Sequence, residues 1–144
     1  MTPAIDKSLV GEEFDSSVST PVTREEIVEF AQAVGECDSR YFSENPIAPP
    51  TFCVRFRGSQ FFHPKIPRSW LLTGFDAGKD VTFGAPIQVG DVIASKSVLH
   101  DLYEKTGRSG TMIFLVARQT LTNQRGEAVA VIDSRFVIRP GGRS

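Results

Sequence analysis

The sequence predicts an α+β fold in which one antiparallel sheet packs against two helices. Three observations support this prediction: a capped amphipathic helix near the N-terminus, a proline-initiated apolar segment after it, and period-two patterning from Lys79 onward. A chain of 144 residues is long enough for a single domain with one core. We therefore expect one domain over residues 1–144, with residues 140–144 as a frayed tail.

The first helix is predicted at residues 23–34. Thr23 and Glu26 have the spacing of a capping box, in which each side chain satisfies a backbone N–H of the first turn. Gly35 supplies the left-handed stop. The buried stripe follows helical spacing and consists of Ile27, Phe30, Ala31 and Val34. Residues 36–41 are therefore expected on the loop that leaves this helix.

The second helix is predicted to start at Pro49 and Pro50 and to run to about Gly58. Proline is tolerated in a first turn because its missing N–H would be unpaired there anyway. Phe52 and Phe56 are expected to point inward.

The strands are predicted from alternating apolar and polar residues, with turn residues between them. They are expected at residues 79–85, 91–104, 110–122 and 127–139, with hairpin loops at 106–110 and 123–126.

Composition excludes several classes of function. The net charge of −1 leaves no basic footprint for nucleic acid or an anionic membrane surface, and no apolar run is long enough to span a bilayer. The two cysteines fit neither a disulfide framework nor a zinc pattern, which favours reduced thiols in a cytoplasmic protein. Neither histidine has a partner at metal-ligand spacing, so no metal is expected.

Six short segments, taken together and in this order, resemble the MaoC-like dehydratase family. They are residues 10–14, 22–25, 27–35, 47–52, 86–91 and 122–127. The likeness covers about residues 8–139 and is strongest to the N-terminal, fatty-acid-synthase-type dehydratase subgroup. It implies the hot-dog fold, a curved antiparallel sheet wrapped around a central helix.

The resemblance also implies a chemistry. Members of this family add water to, or remove it from, enoyl thioesters carried on coenzyme A or acyl carrier protein, without a further cofactor. The Asp and His of a D-x-N-P-x-H motif hold the water and act as base and acid. Backbone N–H groups at the start of the central helix stabilise the charge on the thioester oxygen.

This chain departs from that motif at its catalytic positions. Glu36 stands at the Asp position, Asp38 at the Asn position and Tyr41 at the His position. The pKa of a phenol lies about 3 units above that of an imidazole, so tyrosine is a poor general base near neutral pH. These three residues are the catalytic candidates, and a partner that brings an intact Asp/His pair is the alternative source.

The substrate-binding candidates lie on the second predicted helix. Pro50 stands where the family uses a glycine N–H, so Thr51 is the nearest possible replacement donor. The aromatic candidates for an acyl channel are Phe52 and Phe56. Arg55 and Arg57, with Lys65 and Arg68, form a basic cluster that suits the phosphates of coenzyme A or is simply a solvated face.

The two histidines have structural and functional interpretations. His100 lies within a predicted strand, where a structural or surface role is expected. His63 lies beyond the second helix and could approach the site from another direction, or could be structural.

Four hypotheses follow. The leading one is a hot-dog subunit that binds an acyl thioester while a partner subunit, in a homodimer or heterodimer, supplies the Asp/His pair. The second is a self-sufficient homodimeric hydratase that uses Glu36, Asp38 and Tyr41. The third is a non-catalytic acyl-CoA-binding module. A thioesterase is disfavoured because no Asp or Glu occurs between Asn45 and Phe75.

Overall fold

The computed structural model of the protein describes residues 4–140, and its centre is one five-stranded antiparallel sheet. The strands are β1 (Glu13–Val18), β2 (Gly74–Phe83), β3 (Ala94–Gly107), β4 (Gly110–Thr122) and β5 (Ala128–Ile138). Their spatial order is β1-β3-β4-β5-β2, so β1 and β2 are the two edges of the sheet. The α+β class is therefore confirmed. The predicted frayed tail, apart from Pro140, lies outside the described residues.

The structure adds one strand that the sequence patterning did not indicate. β1 is only six residues long and mostly polar, so it carries no clear period-two signal. It pairs antiparallel with β3. Just before β1, Gly11 N–H donates to Leu99 O at 2.7 Å, and Leu99 N–H donates to Glu12 O at 3.0 Å. β2 begins five residues earlier than predicted, because a bulge between Asp76 and Lys79 interrupts its alternation.

The first helix is close to the prediction. α1 spans Arg24–Ala33, and the Thr23 hydroxyl caps it by accepting the Glu26 N–H at 3.2 Å. The Glu26 carboxylate, which a full capping box would turn back to Thr23, instead lies 3.8 Å from Arg55 Nη1. Gly35 adopts a φ of 77° after the helix, as expected for a left-handed stop.

The second predicted helix is much shorter than expected. In place of a helix to about Gly58, the structure has a six-residue 3₁₀ helix, Pro50–Arg55. Beyond it the chain becomes a loop, because the backbone is drawn onto the sheet. Gln119 of β4 donates a hydrogen bond to Phe56 O, and Gly58 abuts the Asp15 carboxylate so closely that a Cβ would displace that side chain.

The core occupies one face of the sheet and has two parts. The first part packs around Phe52 and contains Val22, Ile27, Ala48, Cys53, Ile87, Ile93, Leu121, Val129, Ala130 and Ile132. The second contains Leu9, Ile66, Leu99, Leu102, Ile113, Leu115, Ile138 and Trp70. Trp70 comes from α2, a single turn over Arg68–Leu71. Phe52 and Cys53 are thus covered by the sheet, as the resemblance implied.

The buried carboxylate of Asp91 connects three separate segments. With a residual exposure of 2%, it accepts hydrogen bonds from Gln88 N–H at 2.9 Å, from Gln124 Nε2 at 2.9 Å and from Arg125 Nη1 at 3.0 Å. Its backbone carbonyl accepts the Val22 N–H at 2.9 Å. Burial opposes ionisation, but these hydrogen bonds outweigh it, and the pKa of Asp91 lies below its ordinary value.

Replacing Asp91 by asparagine should lower the free energy of unfolding by about 2 kcal/mol, because charge-assisted hydrogen bonds to Arg125 and Gln124 are lost. Since the folded pKa is lowered, the ionised carboxylate stabilises the fold above the unfolded pKa near 4, and this contribution is lost as the pH falls through the lower folded value. Urea unfolding of both proteins between neutral and acid pH measures the difference.

Asp80→Asn is the matched control, because Asp80 pairs with Arg135 at an exposed position. It should change stability by less than about 0.5 kcal/mol. Equal effects of the two substitutions would contradict the role assigned to Asp91.

Candidate functional site

The loop after α1, the Pro49–Pro50 segment and the end of β2 enclose a cavity of about 140 Å³. Its lining consists of Arg40, Tyr41, Ile47, Ala48, Pro49, Pro50, Cys53, Phe83, Gly84, Ala85, Pro86, Ile87 and Val129. Most of these side chains are apolar. The cavity lies where the degenerate motif places the candidate site.

Three hydrogen bonds, one to a side chain and two between backbone groups, fix the loop that carries Tyr41. A 3₁₀ turn, Ser39–Tyr41, begins at Asp38, whose carboxylate accepts the Arg40 N–H at 3.0 Å. Ile47 N–H donates to Arg40 O at 3.2 Å, and Ala48 N–H donates to Ile87 O at 2.8 Å. The motif loop is thereby joined to the connection between β2 and β3.

Tyr41 is the polar side chain best placed for a ligand. Its residual exposure is 7%, and it lines the cavity. Among residues 4–140, no group forms a hydrogen bond with the Tyr41 hydroxyl. The Arg40 guanidinium carbon lies 5.6 Å from the centre of the Tyr41 ring. The hydroxyl is therefore available to donate or accept one hydrogen bond from a bound molecule.

Asp38 and Glu36 lie outside this cavity. Asp38 is engaged as the cap of the 3₁₀ turn and in an ion pair with Arg40 Nη2 at 2.8 Å. The hydrogen bond from the Arg40 side chain, followed by that from the Arg40 N–H, lowers the pKa of Asp38. Glu36 is half-buried and does not line the cavity. Of the three catalytic candidates, the structure brings only Tyr41 to the cavity.

The Pro49–Pro50 segment forms part of the cavity wall and offers few hydrogen-bond donors. Pro50 lines the cavity, and burial raises the pKa of the neighbouring Cys53 thiol. Phe52 N–H donates to Pro49 O at 2.9 Å, so it is already used. Because the two prolines have no N–H, Thr51 carries the first backbone N–H of the segment. Its side chain is exposed and does not line the cavity.

The remaining substrate-binding candidates lie elsewhere. Phe52 is fully buried in the core, and Phe56 packs against it with ring centres 5.6 Å apart. Arg55 lies over the Phe52 ring and near Glu26. Arg57 lies over the Phe61 ring at 4.7 Å, beside a different cavity. The two arginines of the predicted basic cluster thus make separate contacts.

His63 has a structural position. The ring is 4% exposed, its Nε2 lies 2.7 Å from Glu12 Oε2, and its Nδ1 accepts the Lys65 N–H at 3.1 Å. Both ring nitrogens are therefore occupied, and His63 does not line the Tyr41 cavity. His100 is exposed on β3. Neither imidazole is positioned to act beside Tyr41.

The sequence patterning missed the contribution of β2 to the site. Phe83, Gly84 and Ala85 line the cavity, and a Cβ at Gly84 would collide with the Ala128 carbonyl. A glycine near the end of the strand predicted at residues 79–85, two residues before Pro86, is the one signal that was available. Phe83 lies on the edge strand β2 and is 52% exposed, so this part of the cavity wall reaches the sheet edge.

Two further properties of the described residues bear on function. Within residues 4–140, no three His, Cys, Asp or Glu side chains come together as a metal ion would require. The helices in that part of the chain are all too short to cross a bilayer.

The fold defines a class of proteins, those with the hot-dog fold. The fold is similar to the ChsH1–ChsH2 complex of Mycobacterium tuberculosis, with a TM-score of 0.70 and 16% identity over 91% of this chain and 86% of that one. It is similar to the HadBC dehydratase complex of the same organism, with a TM-score of 0.66 and 23% identity over 90% and 96%. A MaoC-like dehydratase from Rhodospirillum rubrum gives a TM-score of 0.65 and 19% identity over 91% and 94%.

The family model for the FAS1-like dehydratase domain region matches residues 8–132. This chain belongs to that family. The predicted hot-dog fold and the MaoC-like resemblance are both confirmed.

Tyr41→Phe should leave the free energy of unfolding within about 0.5 kcal/mol of the original value, because the hydroxyl has no partner inside the fold. Tyr41→Ala should cost about 3 kcal/mol, since it removes a buried ring. Thermal denaturation of both variants tests this. A loss above about 1.5 kcal/mol for Tyr41→Phe would show that the hydroxyl is bonded within the protein.

Proposed function

We propose that this chain is the acyl-binding subunit of an enoyl-thioester hydratase, or 3-hydroxyacyl-thioester dehydratase, and that a second hot-dog subunit supplies the catalytic Asp and His. The observation that carries the proposal is the Tyr41 cavity, which lies beside the degenerate motif and has no carboxylate or imidazole in its lining. The substrate is expected as a coenzyme A or acyl-carrier thioester in the cytoplasm.

The chemistry supports a need for a partner. Hydration requires one group that removes a proton from water and another that returns a proton to carbon, both with pKa values near the working pH. Tyr41 can orient a substrate or donate a hydrogen bond, but a phenol is protonated at neutral pH. Asp38 is held by Arg40, and His63 is held by Glu12 and Lys65. Both proton-transfer groups are therefore expected from another subunit.

The sheet offers a place for that subunit next to the cavity. β2 is ten residues long and pairs on one side with β5, while its other side is an edge of the sheet. An edge strand presents backbone N–H and C=O groups that can pair with a second chain. Phe83 ends β2 and also lines the cavity, so a subunit paired along β2 would reach the cavity mouth. The ChsH1–ChsH2 and HadBC structures, similar in fold, are complexes.

The self-sufficient homodimer has less support, because two of its three candidate residues, Glu36 and Asp38, do not line the cavity. A non-catalytic acyl-CoA-binding module would use the same cavity and differs only in its lack of a catalytic partner.

The purified chain should not hydrate octenoyl-CoA above background, whereas a complex with a hot-dog subunit that carries an intact D-x-N-P-x-H motif should be at least about 100-fold faster, the usual contribution of a positioned acid or base. Loss of enoyl absorbance measures the rate. Equal turnover by the chain alone would contradict the proposal, and a stable complex that binds octenoyl-CoA without turnover would favour the non-catalytic module.

Within the complex, Tyr41→Phe should lower kcat/KM by about 3- to 10-fold, the effect of one lost hydrogen bond. Tyr103→Phe is the matched control, because Tyr103 is the other tyrosine and stacks on Phe114 away from the cavity. Glu36→Gln and Asp38→Asn should leave the rate within about 3-fold of the original, since neither side chain reaches the cavity. Losses of several orders of magnitude for these two variants would instead support the homodimer.

A further inference from the structure

A second cavity, of about 300 Å³, lies between the sheet and the loop that follows the 3₁₀ helix. Its floor comes from three neighbouring strands: Ser97 of β3, Ala117 and Gln119 of β4, and Ile132 and Ser134 of β5. Its lining shares no residue with the Tyr41 cavity. The volume is within the range of small-molecule sites.

This floor carries polar side chains on a sheet face that is otherwise mostly apolar. Ser97 lies directly opposite Gln119, and Ser134 lies opposite Ala117, on the face that carries the core. The apolar cluster around Phe52 lies toward one end of this face, and the cluster around Trp70 lies toward the other. Polar groups on a core face are costly unless they form hydrogen bonds. Ser97, Gln119 and Ser134 are half-buried and line the cavity, so their polar groups can form hydrogen bonds with solvent or with a ligand there.

The protein itself provides only some of the hydrogen-bond partners of these three residues. Gln119 Nε2 donates to Phe56 O and to Ser95 Oγ, the latter at 2.7 Å. Among residues 4–140, no group forms a hydrogen bond with Gln119 Oε1, Ser97 Oγ or Ser134 Oγ. The two serine hydroxyls can each donate or accept a hydrogen bond, and the Gln119 amide oxygen can accept one. These groups suit a ligand hydroxyl, which both donates and accepts.

The walls and mouth add an apolar surface and a positive charge. Ala117 and Ile132 form the apolar part of the floor, and Phe61, 60% exposed, lies at the rim. The Arg57 guanidinium lies over the Phe61 ring at the same rim, and within the described part of the chain it has no carboxylate partner. An arginine in this position favours a carboxylate.

The other two charged residues of the rim are already engaged. Lys79 pairs with Asp76 at 3.2 Å. Asp15 accepts the Gln60 N–H at 3.4 Å and abuts Gly58, so it holds the loop in place. Arg57 is therefore the charged residue of the rim that can form an ion pair with a ligand.

We propose that this cavity binds a hydroxy acid with an apolar chain. Its hydroxyl lies between Ser97, Gln119 and Ser134, its chain lies on Ile132 and Phe61, and its carboxylate faces Arg57. The proposal does not depend on thioester hydration or on a partner subunit, because a free acid carries no thioester.

Isothermal titration calorimetry with ω-hydroxyoctanoate and octanoate tests the proposal on the full chain. The hydroxy acid should bind saturably and about 3- to 10-fold more tightly than octanoate, because its hydroxyl gains hydrogen bonds on the floor. Ser97→Ala and Ser134→Ala should each weaken the hydroxy acid by about 3- to 10-fold and leave octanoate unchanged. Arg57→Gln should weaken both acids by a similar factor.

Ser43→Ala is the matched control, since Ser43 is exposed and does not line this cavity. It should change neither affinity. The absence of saturable binding by both acids, equal affinities of the two acids, or unchanged hydroxy-acid affinity in both serine variants would overturn the proposal. Circular dichroism confirms that each variant is folded. Because this assay contains no thioester and no partner, its failure is distinct from failure of the turnover assay.

Discussion

The buried carboxylate of Asp91 holds together the segments that surround the Tyr41 cavity. Through its side chain and carbonyl it joins the connection between β2 and β3 to the turn between β4 and β5 and to Val22, directly before the cap of α1. The loop that carries Tyr41 is joined to one of these segments, the connection between β2 and β3, because Ala48 N–H donates to Ile87 O. The Asp91 carboxylate thus helps to fix the segments around the cavity, although Asp91 does not line it.

The second constraint is the short 3₁₀ helix, Pro50–Arg55. A long helix would present several consecutive N–H groups at its start and would cover the middle of the sheet face. Here the two prolines remove donors at the start, and the chain leaves the helix at Phe56 to form a loop. One consequence is that the start of this helix offers few N–H groups to stabilise the negative charge of an enolate. The other is the open volume between that loop and Gln119.

The parts of the fold with strong local signals could be predicted from the sequence: α1 from its cap and stripe, and β3, β4 and β5 from their alternation and turns. β1 and the length of the second helix could not, because both depend on contacts with distant strands, at Leu99 for β1 and at Gln119 and Asp15 for the loop. For the site, the motif indicated Tyr41, which lines the cavity. It gave no indication that Arg40 engages Asp38 or that β2 supplies a wall.

The central claim is that the proton-transfer groups come from outside this chain. The most direct measurement is a crystal structure of the chain with its partner subunit and a non-reactive acyl-CoA analogue. The account predicts the acyl group beside Tyr41, with an imidazole and a carboxylate of the partner on either side of one water molecule. The same water held by Glu36 or by His63 of this chain would contradict it.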